Sequence, residues 1–333
     1  NFIFPRGVTI DSNGLIYVAD NFNARVMVYD QNFNLVKKLG VGLIVGPNKV
    51  IFDKNNNIIV SDTGNHLVRY FNESGAITKT LGSLRNSKGE FNFVTGLAYY
   101  KGKLYACDSL NHRIQVFRPG GRFLFEFGGL GFGNGKMIAP RGITVSNDGY
   151  VYVADTGNNI VQKFDLKGNF IAQYGKKGYM PGEFNGLYDI KQDKEGNFYV
   201  ADSANLRIQK FDKDFNHITS FGSYGFGPGQ FTYPARIAFD SQNNVYVTDL
   251  YNNKVEKFSK DGSYLATIGS YGQEEGKLFT PVGLYIDKKD RVFVAENGNM
   301  RISVFDTQGN YLKTLGKFGA GNNEFFFNSD IMS

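Results

Sequence analysis

The stretch SDTGNHLVRYF, residues 61–71, sets Asp62, Asn65 and His66 within five residues of an otherwise apolar run. These residue types ligate metals and move protons, but they also write tight turns. Its own copies decide between the two readings. YVAD (17–20), IVSD (59–62), YACD (105–108), YVAD (152–155), YVAD (199–202), YVTD (246–249) and FVAE (293–296) recur, their last residues 42, 46, 47, 47, 47 and 47 positions apart. Three residues after each acid stands an Asn: Asn23, Asn65, Asn111, Asn158, Asn205, Asn252 and Asn299. Nine residues after it stands Tyr29, Phe71, Phe117, Phe164, Phe211, Phe258 or Phe305. A self-similar period of this length marks a repeat architecture.

Each unit reads as four short strands, in the fourth unit GITVS (142–146), YVYVA (150–154), IVQKF (160–164) and FIAQY (170–174). Alternating β-branched and aromatic residues support strands, and nothing of helical length intervenes. DSNG (11–14), SNDG (146–149), DLKG (165–168) and DTQG (306–309) place Asp, Asn and Gly where hairpins need them. A four-stranded antiparallel unit repeated radially is a β-propeller blade. The expectation is one all-β domain of seven blades, with six blades plus extra strands as the alternative. The units run over about 2–44, 45–88, 89–135, 136–182, 183–229, 230–276 and 277–324. EFFFNSDIMS (324–333) puts Phe325 in the slot of Phe2, Phe91 and Phe231, so 325–333 reads as ring closure or the start of an eighth unit.

The pattern P-x-G, strand, D-x-x-G, Y-V-A-D-x-x-N-x-R-[IV], aromatic-Asp and F-G-x-x-G resembles the NHL-repeat propellers, whose name stands here as Asn65-His66-Leu67. The resemblance covers residues 2–325. Members commonly have six blades, so the count of seven rests on this chain's own units. The resemblance implies a binding or scaffold module. Some relatives use a basic face for single-stranded RNA, and related propellers include amidating lyases and lactonases with a metal in the channel.

Composition narrows the setting. The chain has 333 residues, with 41 Gly, 31 Phe and 20 Tyr, and a single Cys excludes an intramolecular disulfide framework. No apolar run is long enough to span a membrane as a helix. A net charge of +6 from 37 basic and 31 acidic residues permits, without requiring, attraction to an anionic partner. The opening Asn1-Phe2-Ile3, without initiator Met or signal peptide, leads us to expect a processed product or part of a longer chain or assembly. The lone Cys and the Tyr-, Asn- and Gly-rich composition suggest a microbial extracytoplasmic protein, periplasmic, cell-surface or secreted.

Seven equivalent copies around a ring cannot all be catalytic, so the Asp and Asn slots are read as local turn chemistry. The slot after Asn holds Ala24, His66, His112, Asn159, Leu206, Asn253 and Met300, which share no side-chain chemistry. His217 sits in a different turn, so no convergent set of three His for zinc is expected. GGLGFGNGK (128–136) looks like a phosphate loop but joins strand to strand, and its copies at 175–184 and 222–231 mark it as an inter-blade connection. No nucleophile elbow is present. No catalytic residue, metal or cofactor is assigned.

The candidate site lies where units differ. In a four-stranded blade the inter-blade connection and the second-to-third-strand loop emerge on one face, and the first strand lines the channel. Around that mouth, Arg6, Lys49, Arg141, Tyr188, Asp189, Lys191 and Arg236 depart from the repeat pattern. A mostly basic ring suits carboxylate or phosphate. Pairing of Asp189 with Lys191 or Arg236 is the competing, purely structural account. Aromatic loop tips on the same face, Phe22, Phe132, Tyr179, Tyr224, Tyr251 and Tyr271, suit a protein interface or stacking on bases. From this set Tyr224 and Tyr251 join the candidate binding residues. The functional expectation is therefore a non-catalytic propeller recognising a protein, glycan or anionic ligand. Single-stranded RNA binding is the alternative, and a metal-dependent lyase or lactonase is the third reading.

Overall fold

The computed structural model describes residues 2–118 and 120–316. It consists of seven four-stranded antiparallel sheets, each built from one contiguous segment: Pro5–Leu39, Pro47–Leu81, Val94–Gly128, Gly142–Tyr174, Leu187–Phe221, Pro234–Ile268 and Pro281–Leu315. These are blades 1 to 7, each with strand order 1-2-3-4, and the six-bladed alternative gives way to seven. The first strands pack against one another in an unbroken ring, that of blade 7 against that of blade 1.

The core lies between blades. Seven buried clusters each draw side chains from two neighbouring sheets. The second strand supplies the largest share of them because it is buried along both faces, as in VYVAD (151–155) and FYVAD (198–202). A strand covered on both sides carries a continuous apolar run, and each fully buried Phe or Val contributes roughly 1.5–3 kcal/mol. The turn aspartates act locally: Asp165 Oδ1 accepts the backbone N–H groups of Lys167 and Asn169 at 2.8 and 2.9 Å.

The recurring acid does more than shape its own turn. Asp202, fully buried, accepts the Asn185 backbone N–H at 2.6 Å, and Asn185 lies in the loop arriving from the previous blade. The same bond recurs from Ile3 to Asp20, Val45 to Asp62, Asn92 to Asp108, Ile138 to Asp155, Tyr233 to Asp249 and Phe279 to Glu296, at 2.6–2.8 Å. Asn205 donates to Asp202 at 2.9 Å and to the carbonyl of Gly178, in that same loop, at 2.7 Å. Arg207 adds a 2.8 Å ion pair and Gln209 a 3.0 Å hydrogen bond. Blade 4 has Ile160 where blades 1, 3, 5 and 7 have Arg, so Asp155 relies on Asn158 and Gln162, and burial pushes its carboxyl above the usual range.

The slot after Asn, which shares no chemistry on paper, shares a backbone state. Ala24, His66, His112, Asn159, Leu206, Asn253 and Met300 all have φ between 51° and 59°, the left-handed region. Where the side chain carries an acceptor it also stitches to the next blade. His66 Nδ1 accepts the Phe93 N–H, and His112 Nδ1 that of Ala139, both at 3.0 Å. Asn159 and Asn253 do the same for Gly186 and Thr280 at 2.7 Å. The histidines are thus inter-blade connectors.

Ring closure uses the same parts. Phe91, Phe184 and Phe231 each pack over a positive-φ glycine ending the previous blade, Gly82, Gly175 and Gly222, where any Cβ would collide with the ring. Phe2 sits in the same way over Gly316 of blade 7. The slot noticed for Phe325 is therefore already filled, among the described residues, by Phe2. The expected role of 325–333 lies outside the described residues.

The stitch has an internal control, since blades 4 and 6 use Asn and blade 5 uses Leu. In urea unfolding, His66→Asn is expected to lie within about 0.5 kcal/mol of the parent, whereas His66→Leu loses about 1–2 kcal/mol through the orphaned amide and left-handed strain. Equal effects of the two changes would remove the inter-blade role.

Candidate functional site

The first strands approach closely because their slot after Pro-x holds Gly in four blades. A Cβ on Gly7 would come within 2.6 Å of the Asn48 carbonyl, and on Gly96 or Gly283 it would strike the Arg141 or Arg6 carbonyl. Blades 2, 5 and 6 replace this glycine by Lys49, Asp189 and Arg236. Register shifts beside the slot show the first strand bulging in six blades, which re-aims these side chains. The ring encloses a cavity of about 870 Å³ whose walls include all seven pattern-breaking residues.

Their environments differ. Arg6 and Arg141 are exposed at the mouth, and Lys191 is half-buried. No side-chain hydrogen bond or ion pair joins any of these three to another of the described residues. Asp189 is 4% exposed and accepts the N–H groups of Ile190 at 3.1 Å and Ile237 at 3.3 Å, tying blade 5 to blade 6. Its expected ion pair with Arg236 is loose at 4.0 Å, and none forms with Lys191 among the described residues. Arg236 instead lies 5.0 Å over the Tyr188 ring, a cation–π contact. Lys49 donates from Nζ to the Leu97 carbonyl at 3.0 Å. Burial, with the positive charges of Lys191 and Arg236, lowers its ammonium to about 7, against the opposing pull of Asp189. Cys107, behind it in blade 3, is fully buried and pushed up to about 12 by desolvation.

The two candidate loop tyrosines separate. Tyr251, 67% exposed, packs on Tyr233 at 5.3 Å between ring centroids, and Tyr233 meets Tyr188 edge-on at 6.0 Å. Tyr251 therefore connects by aromatic contact to the cavity wall. Tyr224, also 67% exposed, packs only on Phe226 at 6.1 Å and is not brought to the cavity. It stands at the tip of an inter-blade loop, where the sequence places it. Tyr233 and Phe93, missed in the sequence, precede the first strands of blades 6 and 3. The signal was there, because Phe4, Phe93 and Tyr233 put an aromatic at the same position of three units.

Among the described residues no three His, Cys, Asp or Glu side chains come together as metal ligands. No helix of the described residues is long and apolar enough to cross a membrane.

Comparison with known proteins agrees with this geometry. The NHL repeat family matches residues 2–29, 139–164 and 280–305, and a family described as a 6-bladed beta-propeller matches residues 184–270. RING finger protein nhl-1 of Caenorhabditis elegans is 42% identical over 59 residues, 17% of this chain and 6% of that protein. Protein brain tumor of Drosophila melanogaster is 28% identical over 130 residues, 38% of this chain and 12% of that protein. The matches thus span a small part of either relative. Virginiamycin B lyase from Staphylococcus aureus superposes with a TM-score of 0.71 at 13% identity, covering 88% of this chain and 92% of its own. Kuenenia stuttgartiensis hydrazine synthase superposes at 0.73 and 11% identity, covering 93% and 97%. At such identities the likeness is one of fold, and the fold hosts both enzymes and binding modules.

Lys49 gives the folded protein a pH signature. Its folded value lies below the unfolded one, so between about 7 and 10 the unfolded chain binds more protons and stability rises with pH. Lys49→Met removes the penalty. The variant is expected to exceed the parent by about 1–2 kcal/mol at pH 6.5, a gain that shrinks toward pH 10. Chemical denaturation at both pH values checks this, and a pH-independent difference would contradict it.

Proposed function

This chain is an NHL-repeat β-propeller of seven blades, and for it we propose a non-catalytic recognition role. The face bearing the inter-blade loops and the channel mouth binds an acidic surface of a protein partner. A glycan or a smaller anionic ligand would be read by the same cations. The carrying observation is that Arg6 and Arg141 stand exposed at the cavity mouth without partners among the described residues, while Arg25, Arg69, Arg113, Arg207 and Arg301 are each paired with a buried acid. Arg141 is near enough to act on Tyr233, whose ring packs on Tyr251, and arginine with exposed tyrosine has the composition of interface anchors.

Single-stranded RNA is the second reading, favoured by the aromatic path from Tyr251 through Tyr233 to Tyr188 and Arg236, on which bases could stack. The likeness to a lyase and to hydrazine synthase is one of fold and assigns no reaction here. The proposal includes an extracytoplasmic location, which fractionation of the producing cells would test.

The triple change Arg6→Ala, Arg141→Ala, Arg236→Ala is expected to weaken capture of the native partner at least about tenfold while leaving thermal unfolding within a few degrees. Unchanged capture by the triple variant would refute the assignment of the face. Labelled RNA oligomers titrated at about 50 mM salt decide the second reading, and a flat titration eliminates it.

A further inference from the structure

Six basic side chains elsewhere in this protein are set against buried acids. Arg25, Arg69, Arg113, Arg207, Arg301 and Lys254 each lie within 3 Å of a buried carboxylate, because an unpaired charge taken out of water is costly. The channel breaks that rule. Lys49, Lys191 and Arg236 converge from blades 2, 5 and 6 with Arg6 and Arg141 above them, and the single acid, Asp189, is already committed to two backbone N–H groups. Lys49 Nζ uses one proton on Leu97 and, when charged, has two more to donate. The walls add Tyr188, Phe239 and Tyr285, so the cavity combines cations with apolar surface and has the volume of a small-molecule site.

We propose that the channel is a small-molecule oxyanion site, centred on Lys49, Lys191 and Arg236, for a compact organic anion carrying two or more carboxylate or phosphate charges. One negative charge would leave the cluster's surplus in place, whereas two or three match it. Arg236, held over the Tyr188 ring, presents its fork to one oxyanion, and the two lysines meet the other. The proposal deepens the recognition reading by naming what occupies the channel itself, and it stands or falls apart from partner capture by the rim.

Loading is coupled to a proton. The groups facing Lys49 are Asp189 and Lys191 of blade 5, Arg236 of blade 6 and Cys107 of blade 3, with Arg6 and Arg141 across the mouth. Burial first, and then the Lys191 and Arg236 charges, hold its ammonium down to about 7, so near pH 7.5 a large share of Lys49 is neutral. A bound anion offsets their repulsion, and Lys49 then takes a proton from solvent. Binding therefore consumes a fraction of a proton at that pH and tightens as pH falls from about 9 to 7.

Calorimetric titration of the full chain with citrate and, separately, with inorganic phosphate tests this at pH 7.5 and low salt, in two buffers of different ionisation enthalpy. Saturable binding is expected, with buffer-dependent heats reporting proton uptake. Preference for citrate or phosphate assigns the oxyanion class. Lys49→Met with Lys191→Met is expected to lower affinity at least tenfold. Lys49→Arg, which keeps the charge, is expected to retain affinity within about threefold and to lose the buffer dependence. No binding of either anion by the parent, or equal binding by the double variant shown folded by circular dichroism, overturns the site. Because neither lysine is in the rim triple, absence of anion binding by a parent protein that still captures its partner would discard this site alone.

Discussion

A buried carboxylate at the end of each second strand holds the ring together. It accepts a backbone N–H from the loop that has just crossed from the preceding blade, so one side chain closes its own turn and anchors its neighbour's exit. A buried acid left without donors would cost several kcal/mol, so each copy is surrounded by Asn and by Arg, Gln, Ser or Thr according to blade. The price of burial is still visible at Asp20 and Asp155, whose carboxyls are raised by desolvation. The rest of the architecture depends on these anchors, because the inter-blade loops carry no regular secondary structure of their own beyond single bridges.

With the loops pinned, the first strands can crowd the axis, and there the glycine slot controls the chemistry. Three of the four slot glycines, Gly7, Gly96 and Gly283, permit backbone-to-backbone approach, and three exceptions place Lys49, Asp189 and Arg236 at the channel wall. One event in sequence, loss of a glycine, therefore both alters strand packing and introduces a charged side chain. Asp189 shows the two effects at once: its oxygens hold Ile190 and Ile237, and its charge moderates the lysines and arginine around it.

The blade, its repeat number and the structural nature of the acid and Asn slots were legible because each is repeated, and repetition separates what every blade needs from what one blade does. The pattern-breaking residues were legible by the same comparison, and Arg6, Lys49, Arg141, Tyr188, Asp189, Lys191 and Arg236 do meet in one cavity. Less was legible at the His slot. Ala24, His66 and Met300 look unrelated until their common positive φ is seen, and a backbone angle leaves little mark on side-chain identity outside glycine and asparagine. Tyr224 looked equivalent to Tyr251 for the opposite reason. Both are loop-tip tyrosines, and only packing through Tyr233 distinguishes them.

By itself the sequence determined a ring of seven four-stranded blades, since hydrophobic alternation, turn residues and a period of 42 to 47 positions allow little else. Tertiary structure decided which residues share an environment. Lys49 and Lys191 are 142 positions apart, and only the closed ring brings the Lys191 charge close enough to disfavour that of Lys49. It also decided how the ring ends meet, with Phe2 over Gly316, because a slot that any of several phenylalanines could fill is assigned by proximity rather than by residue type. Local pattern follows from interactions a few residues apart, and electrostatics and closure follow from distances that only the folded chain sets.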